Sequence, residues 1–150
     1  MSVTTRKAKI DDLDALYGIE KECFTLEAFS KNQIALLLRN PRTISLLAQT
    51  GGRVVGFIIA LIYEGEKRKV GHIITLDVAV KARKRGVGLK LLNDLERIFR
   101  SQKVQVCYLE VRVDNKAALE LYTKLGYVRI KLLKNFYPDA DGVRMKKLLQ

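Results

Sequence analysis

The stretch that decides the fold is residues 75–92, TLDVAVKARKRGVGLKLL, in which an apolar run ends in a basic cluster and a helical pattern begins after Gly86 and Gly88. This order predicts a strand, a glycine-bearing turn and the N-terminus of a helix. Free N–H groups and the positive end of the helix dipole both favour an anion at such a place. We therefore expect the turn to bind the pyrophosphate of a nucleotide-like cofactor.

The turn matches neither of the two common nucleotide-binding patterns. G-x-x-x-x-G-K-[ST] and G-x-G-x-x-G are both absent, which argues against a P-loop NTPase and a Rossmann dinucleotide site. The pattern present is Arg83-x-x-Gly86-x-Gly88, in which the glycines allow close backbone approach and the basic side chains supply charge. The alternative interpretation is an ordinary helix start beside a solvated basic loop.

Length and composition predict a single folded domain over residues 1–150, with 48% hydrophobic residues. The sequence contains no apolar run of membrane-spanning length, and its first residues lack the apolar core of a signal peptide. Cys23 and Cys107 are isolated, fit no metal or redox spacing, and are expected to lie away from the functional motifs. These features predict a cytoplasmic protein with no bound metal and no membrane partner.

The formal net charge of +12 favours anionic ligands or polyanions. Nucleic acid, a ribosome surface and a phosphorylated cofactor all fit this charge. A lysine-rich soluble surface fits it equally well, so composition alone does not choose among them.

Hydrophobic periodicity predicts the element order β-α-α-β-β-β-α-β-α-β-β, an α+β (mixed α/β) plan. Asp11 is the expected N-cap of the first helix, which ends near Cys23, and Ser30 with Gln33 forms a capping box for the second. Gly126 is expected at C′ of the last helix. The predicted strands are residues 3–10, 44–49, 53–63, 70–80, 104–113, 127–133 and 143–149, with a hairpin turn at Gly51-Gly52 and a loop over residues 134–142.

Three polar residues stand in unusual places in the strand and helix over residues 107–127. Glu110 interrupts an apolar strand and shares a face with Arg112, Asn115 lies at a helix start, and Tyr122 lies on the apolar face of that helix. If both faces of the strand are covered, burial raises the pKa of the Glu110 carboxyl, as suits a general base. The alternative is an edge-strand carboxylate paired with Arg112 or a lysine.

His72 is the single histidine of the chain, and it opens the strand that leads to the glycine turn. A lone histidine is more often structural than catalytic. Its position upstream of the expected cofactor site makes it a candidate for acid–base chemistry.

The two patterns together resemble the GCN5-related N-acetyltransferase (GNAT) superfamily. Arg83-x-x-Gly86-x-Gly88 after an apolar strand is similar to its acetyl-CoA signature, and Asn115-x-x-Ala118-x-x-Leu121-Tyr122-x-x-x-Gly126-Tyr127 is similar to its second signature. The residues at 71–73, 109–112 and 136–138 resemble the archaeal N-terminal acetyltransferases and the bacterial RimI-like enzymes. The resemblance implies a mostly antiparallel seven-stranded sheet flanked by four helices.

The resemblance also implies the role of each site residue. Glu110 and His72 would take the proton from the amine through water, and Tyr122 would protonate the departing thiolate. Leu26, Glu27, Phe136 and Tyr137 would shape the peptide slot. Acetyl-CoA would be bound, and CoA released as product, by Leu76, Asp77, Val78, Arg83, Lys84, Arg85, Gly86, Val87, Gly88, Leu89, Asn115 and Tyr122.

This sequence departs from the family pattern at three places. Asp77 stands where a small apolar residue is usual, which does little harm if its side chain points away from the cofactor. Lys81-Ala82 replaces a proline-containing lead into the turn, and Phe136 stands where tyrosine is frequent.

The implied function is acetyl transfer from acetyl-CoA to the free α-amino group of a protein or peptide. The substrates expected are protein N-termini, with ribosomal proteins or nascent chains as their source, and nucleic acid is expected only through ribosome contact. The chain itself is expected to be a monomer or a weak dimer. Two alternatives stay open: acetylation of lysine side chains or small amines such as polyamines, and a non-catalytic protein that binds CoA or RNA.

Overall fold

A computed structural model describes residues 2–149, which form the predicted sequence of strands and helices. The α-helices are α1 (Leu13–Cys23), α2 (Lys31–Arg39), α3 (Val87–Ser101) and α4 (Lys116–Lys124). The strands are β1 (Thr4–Lys7), β2 (Thr43–Thr50), β3 (Arg53–Glu64), β4 (Lys69–Val78), β5 (Val106–Arg112), β6 (Val128–Tyr137) and β7 (Ala140–Leu148). Within the described residues no helix is long and apolar enough to cross a membrane.

One seven-stranded sheet runs in the order β1-β2-β3-β4-β5-β7-β6. Every neighbouring pair is antiparallel except β4 and β5, which are parallel. The mixed α/β class and the mostly antiparallel sheet are therefore confirmed.

The parallel strands β4 and β5 stay paired over a short distance. Their register joins Val70 to Val106, Gly71 to Cys107 and His72 to Tyr108, and it ends there. Ile74 forms a β-bulge against β3, because Ile59 pairs with Thr75 while Ala60 pairs with Ile73. A bulge bends its strand and increases its twist. The strands thus part directly after His72, which opens a gap in the middle of the sheet.

The two faces of the sheet carry separate cores. The larger cluster lies on the α3 and α4 side and contains Leu91, Phe99, Leu109 and Met145. The smaller cluster joins α1 and α2 to β2, β3 and β4. Gly71 lets the strand lie directly on the Phe99 ring, since a Cβ at this position would approach that ring to 2.6 Å.

Two of the predicted helix caps are confirmed and one is wrong. Ser30 accepts from the Gln33 N–H and Gln33 reaches back to the Ser30 N–H, so the capping box is confirmed. Gly126, with φ 98°, follows α4 as predicted. Asp11 as N-cap is wrong: a 3-10 turn at Ile10–Asp12 precedes α1, and the Asp12 carboxylate is held by Arg6 and the Lys9 N–H.

Several predicted strand limits are also wrong. β1 ends at Lys7 and β4 at Val78, because 3-10 turns occupy Ile10–Asp12 and Val80–Ala82. The predicted loop over residues 134–142 is mostly strand, since β6 continues to Tyr137 and pairs it with Ala140. Phe136 and Tyr137 therefore lie at the tip of a hairpin.

A pair of buried carboxyl groups links α1 to β4. Glu20 is 1% exposed, Asp77 is 1% exposed, and the Thr75 hydroxyl contacts both. Burial raises the pKa of Asp77 well above its usual range, and the neighbouring Glu20 carboxyl raises it further. Asp77 therefore stays protonated at pH values where an exposed aspartate is ionised.

We predict that Asp77→Asn stabilises the protein more at pH 8 than at pH 5. Because the folded-state pKa of Asp77 is raised, folding binds the proton more tightly, and stability is lost as the pH rises through that pKa. The amide cannot ionise and avoids this loss. The melting temperature at pH 8 should rise by a few degrees, since about 1 kcal/mol corresponds to roughly 2–4 °C at this size.

The matched control is Asp11→Asn, an exposed aspartate that makes no side-chain hydrogen bond within residues 2–149. It should change the melting temperature little at either pH. An equal effect of Asp77→Asn at pH 5 and pH 8 in thermal unfolding would contradict the buried protonated carboxyl.

Candidate functional site

The turn between β4 and α3 presents a row of free backbone donors. Gly86 is the N-cap of α3 in the left-handed region, with φ 80°, and it has no side chain to cap the helix. The N–H groups of residues 84–89 donate to no acceptor within residues 2–149. Six adjacent donors at the N-terminus of a 15-residue helix form a site suited to a pyrophosphate.

The three basic side chains of this turn, Arg83, Lys84 and Arg85, differ in whether they contact the rest of the protein. Lys84 and Arg85 are exposed, and their side chains have no partner within residues 2–149, whereas Arg83 folds back on β4. Arg83 donates from Nε to the Val78 carbonyl at 3.1 Å and from Nη2 to the Cys23 Sγ at 3.4 Å. Lys84 and Arg85 are therefore the cations that remain available to an anion.

The expectation that both cysteines lie away from the motifs is wrong. Cys23 at the end of α1 donates to the Val78 carbonyl at 3.3 Å, and Cys107 is buried in β5 close enough to Tyr122 to raise its pKa. Burial raises the pKa of the Cys23 thiol and raises that of Cys107 to about 12. Both thiols thus stay protonated at neutral pH and are poor nucleophiles.

The second edge of β4 has no strand partner beyond His72, although the Val78 carbonyl accepts from Arg83 and Cys23. Leu76 and Val78 pair with Ile58 and Gly56 of β3, but β5 has already diverged on the other side. An extended ligand arm could add to this edge by backbone hydrogen bonds. The Asp77 side chain points toward α1 and contacts Thr75 there, so this departure from the family pattern does not obstruct the edge.

A cavity of about 250 Å³ lies at the gap between β4 and β5. It is lined by strand residues from both sides of the gap, by α4, by the segment after α1 and by the β6–β7 hairpin. The lining residues are Glu20, Phe24, Glu27, Phe29, His72, Ile73, Ile74, Thr75, Leu76, Leu109, Glu110, Val111, Arg112, Asn115, Ala118, Tyr122, Phe136 and Tyr137.

His72 and Glu110 meet in this cavity. His72 Nε2 lies 2.7 Å from Glu110 Oε1, and Arg144 Nε donates to Glu110 Oε2 at 2.9 Å. Burial raises the pKa of the Glu110 carboxyl, but the hydrogen bonds from His72 and Arg144 outweigh it, so the net pKa is lowered. The expected rise in the pKa of Glu110 is therefore wrong. The alternative of an edge-strand carboxylate paired with Arg112 is also wrong, because β5 is an interior strand and Glu110 pairs with Arg144 and His72.

Because an ionised carboxylate only accepts hydrogen bonds, its contact with His72 identifies Nε2 as the protonated ring nitrogen. In the neutral imidazole this leaves Nδ1 as an acceptor. The pair is therefore able to take up a proton at Nδ1, with Glu110 orienting the ring.

Tyr122 and Asn115 reach the cavity from α4. The Tyr122 ring is buried, with its edge against Tyr127 at 5.6 Å between centroids, and its hydroxyl makes no hydrogen bond within residues 2–149. Burial raises the pKa of Tyr122, so the hydroxyl keeps its proton. Asn115 Oδ1 caps α4 by accepting from the Ala118 N–H at 3.2 Å, which leaves its amide N–H₂ for a ligand.

The two walls of the cavity mouth are joined by Arg112. Its guanidinium contacts Glu27 of the α1–α2 segment at 2.5 Å and Asp139 of the β6–β7 turn at 2.6 Å, and also binds Asp114. Glu27, Phe136 and Tyr137 line the cavity as predicted for the slot. Leu26, which was also expected at the slot, does not line the cavity and is 64% exposed.

Sequence reasoning missed Arg112, Arg144 and the two aromatic side chains Phe24 and Phe29 as parts of the site. Arg144 opposes Glu110 only through the β5–β7 register, and Arg112 gains three carboxylate partners from three separate segments. No local pattern signals such contacts. For Phe24 and Phe29 a local signal exists, because the run FTLEAF over residues 24–29 breaks the helical pattern between two predicted helices.

Comparisons with known proteins identify the family of this chain. The model of the Acetyltransferase (GNAT) family matches residues 13–127. An uncharacterised N-acetyltransferase of Methanocaldococcus jannaschii is 35% identical, with 95% of this chain and 89% of that protein covered. The N-terminal acetyltransferase A complex catalytic subunit NAA10 of Arabidopsis thaliana is 30% identical, with 99% of this chain and 79% of that protein covered.

Among solved structures, Ard1 from Thermoplasma volcanium superposes with a TM-score of 0.91 at 27% identity, covering 100% of this chain and 99% of the other. The match therefore extends over all the strands and helices that surround the cavity. The family resemblance read from the two signatures is confirmed, and the chain belongs to the Acetyltransferase (GNAT) family.

Proposed function

We propose that this protein is an acetyl-CoA-dependent N-terminal acetyltransferase, which transfers acetyl directly to the free α-amino group of a protein or peptide. The observation that carries the proposal is the cavity between β4 and β5, where the His72–Glu110 pair and the Tyr122 hydroxyl face one space. Membership of the GNAT family and the N-acetyltransferase relatives support the same activity.

Acetyl-CoA supplies the acetyl thioester and carries a pyrophosphate. The free N–H groups of residues 84–89 bind the pyrophosphate, with Lys84 and Arg85 adding charge. The edge of β4 at Leu76 and Val78, which has no strand partner, would hold the pantetheine arm through backbone hydrogen bonds. Asn115 donates its amide N–H₂ to the same ligand.

His72 and Glu110 prepare the amine. His72 accepts the amine proton at Nδ1, directly or through water, while Glu110 holds the ring and stabilises its positive charge. An α-amino group has a pKa of about 8, against about 10.4 for lysine, so at neutral pH its deprotonation costs about 3 kcal/mol less. The proposed pair therefore has less work to do on a protein N-terminus than on a lysine side chain.

Tyr122 acts on the leaving group. The Tyr122 side chain is buried and lines the cavity, and its hydroxyl keeps its proton at neutral pH and has no partner within residues 2–149, so it is free to donate to the departing thiolate. Both cysteines stay protonated, which favours direct transfer over an acyl-cysteine intermediate.

The acceptor slot lies between Phe24 and Phe29 on one side and Phe136 and Tyr137 on the other. Acceptors are protein N-termini, with ribosomal proteins or nascent chains as their expected source and any nucleic acid contact made through the ribosome. The proposal places the protein in the cytoplasm as a monomer or weak dimer. Lysine side chains and polyamine-like amines are the second acceptor class to test.

The deciding experiment measures CoA release from acetyl-CoA with peptide pairs that have either a free or a blocked N-terminus, each with one internal lysine. Turnover should require the free N-terminus. Equal turnover with blocked peptides would point to lysine acetylation, and the absence of turnover on a library varied at its first two positions would overturn the proposed function.

We predict that Tyr122→Phe lowers kcat by roughly 10²–10⁴-fold without unfolding the protein, because only the proton donor is removed. The matched control is Tyr127→Phe. The Tyr127 hydroxyl donates to the buried Glu96 over 2.9 Å, and neither residue lines the cavity. The control should lose about 1 kcal/mol of stability and keep kcat. Similar kcat values for Tyr122→Phe and the wild type would exclude the acid role.

We predict that the Glu110 carboxyl titrates below its usual range and that Arg144→Gln raises its pKa. Removing the guanidinium takes away a hydrogen bond and a charge that favour the carboxylate, while burial continues to disfavour it. Carbon-13 NMR of the glutamate carboxyl groups, assigned with Glu110→Gln, measures both values. A wild-type pKa above the usual glutamate range would contradict the role of Glu110 as an ionised orienting group.

A further inference from the structure

On the sheet face where α1 and α2 pack, no helix of residues 2–149 covers β5, β7 and β6, and only the α1–α2 segment reaches the Arg112 end of β5. Both helices lie over β2, β3 and β4. Directly paired residues share a face, and two rows on this face lead away from the catalytic pair toward the sheet edge. The first row is His72, Tyr108, Lys146 and Val128, and the second is Glu110, Arg144 and Lys131.

We call Tyr108, Val128, Lys131, Arg144 and Lys146 the basic strip. Val128 and Lys131 are exposed, and the other members are half-buried. Lys131 and Lys146 form no ion pair or hydrogen bond within residues 2–149, and Arg144 uses only its Nε, toward Glu110. The carboxylate of Glu110 is already taken by His72 and Arg144. The strip thus presents the ammonium groups of Lys131 and Lys146 and the terminal nitrogens of Arg144, which no carboxylate within residues 2–149 binds.

We infer that the basic strip binds an acidic segment of the acceptor protein, a few residues after its N-terminus. The inference rests on the proposed function, since the acceptor's first residue must lie at His72 and Glu110, where the strip begins. Carboxylates of the acceptor fit the terminal nitrogens of Arg144 and the ammonium groups of Lys131 and Lys146. Tyr108 and Val128 offer apolar surface beside them.

The dimensions of the strip determine which acceptor residues it reaches. Neighbouring strands lie about 4.8 Å apart, so the row from β4 to β6 spans about 14 Å. An extended chain advances about 3.3 Å per residue, so about four residues cover this distance. The acidic segment therefore corresponds to about positions 3–6 of the acceptor.

The charge distribution of this face favours an acidic peptide over RNA. The opposite end of the same face carries Arg112 with three carboxylates, those of Glu27, Asp114 and Asp139. This local excess of negative charge would repel a phosphate backbone that follows the sheet. The part of a peptide acceptor that extends beyond the slot meets the basic end, close to the amine that is to be acetylated.

The test compares peptides that share their first two residues and carry Asp/Glu, Asn/Gln or Lys/Arg at positions 3–6. The acidic peptides should show the highest kcat/KM, about fivefold above the neutral ones and mainly through KM, because exposed ion pairs are individually weak. Raising the salt concentration should reduce this preference, since surface charges are screened within about 8 Å at physiological ionic strength.

The double variant Lys131→Glu with Lys146→Glu should abolish or reverse the preference while kcat on neutral peptides stays near the wild-type value. The matched control is Lys7→Glu with Lys67→Glu, which makes the same change in charge on β1 at the far sheet edge and in the β3–β4 loop. These lysines are also exposed and make no ion pair within residues 2–149. The control variant should keep the preference.

Equal kcat/KM for acidic and neutral peptides would overturn the inference, as would equal effects of the two double variants, which would indicate net charge alone. Binding of a single-stranded RNA oligonucleotide that only Lys131→Glu with Lys146→Glu abolishes, without any peptide preference, would replace the acidic peptide by RNA. A complete lack of acetylation on every peptide would instead overturn the proposed function.

Discussion

The site depends on the separation of two parallel strands. β4 and β5 are held together over Val70 to His72 and then diverge, with the Ile74 bulge turning β4 away. Parting strands normally leave unsatisfied backbone groups, which is costly in a buried sheet. Here the gap is the cavity itself, and the open edge of β4 leads from it to the free donors at the start of α3. One irregularity therefore creates both the acceptor space and the ligand track.

Two carboxyl groups near this gap, Glu110 and Asp77, have pKa values shifted in opposite directions. Glu110 is half-buried but receives hydrogen bonds from His72 and Arg144, which lower its pKa. Asp77 is more deeply buried beside Glu20, with no cation in hydrogen-bond contact, and its pKa is raised. The same residue class thus supplies an ionised group that orients a histidine and a neutral group that joins α1 to the strand. The difference comes from partners, since burial alone acts in the same direction on both.

Much of the fold was predictable because it rests on local patterns. The capping box at Ser30, the glycine that ends α4 and the Gly51-Gly52 turn each depend on residues within a few positions, and all are confirmed. Strand limits were less predictable. Strands β1 and β4 end shortly before 3-10 turns, and the β6–β7 hairpin continues by strand pairing into residues 134–142, whose local composition indicates a loop.

By itself, the sequence determined the order of elements, the family, and the residues His72, Glu110, Asn115 and Tyr122 that line one cavity, because periodicity and two spaced signatures are local properties of a chain. Only the tertiary structure decided their electrostatic environment. Arg144 reaches Glu110 through strand register, and Arg112 gathers carboxylates from three segments. The pKa of a group depends on its neighbours in space, so the lowered pKa of Glu110 follows only from the assembled sheet. The basic strip beside Glu110 likewise forms only when β5, β7 and β6 pair.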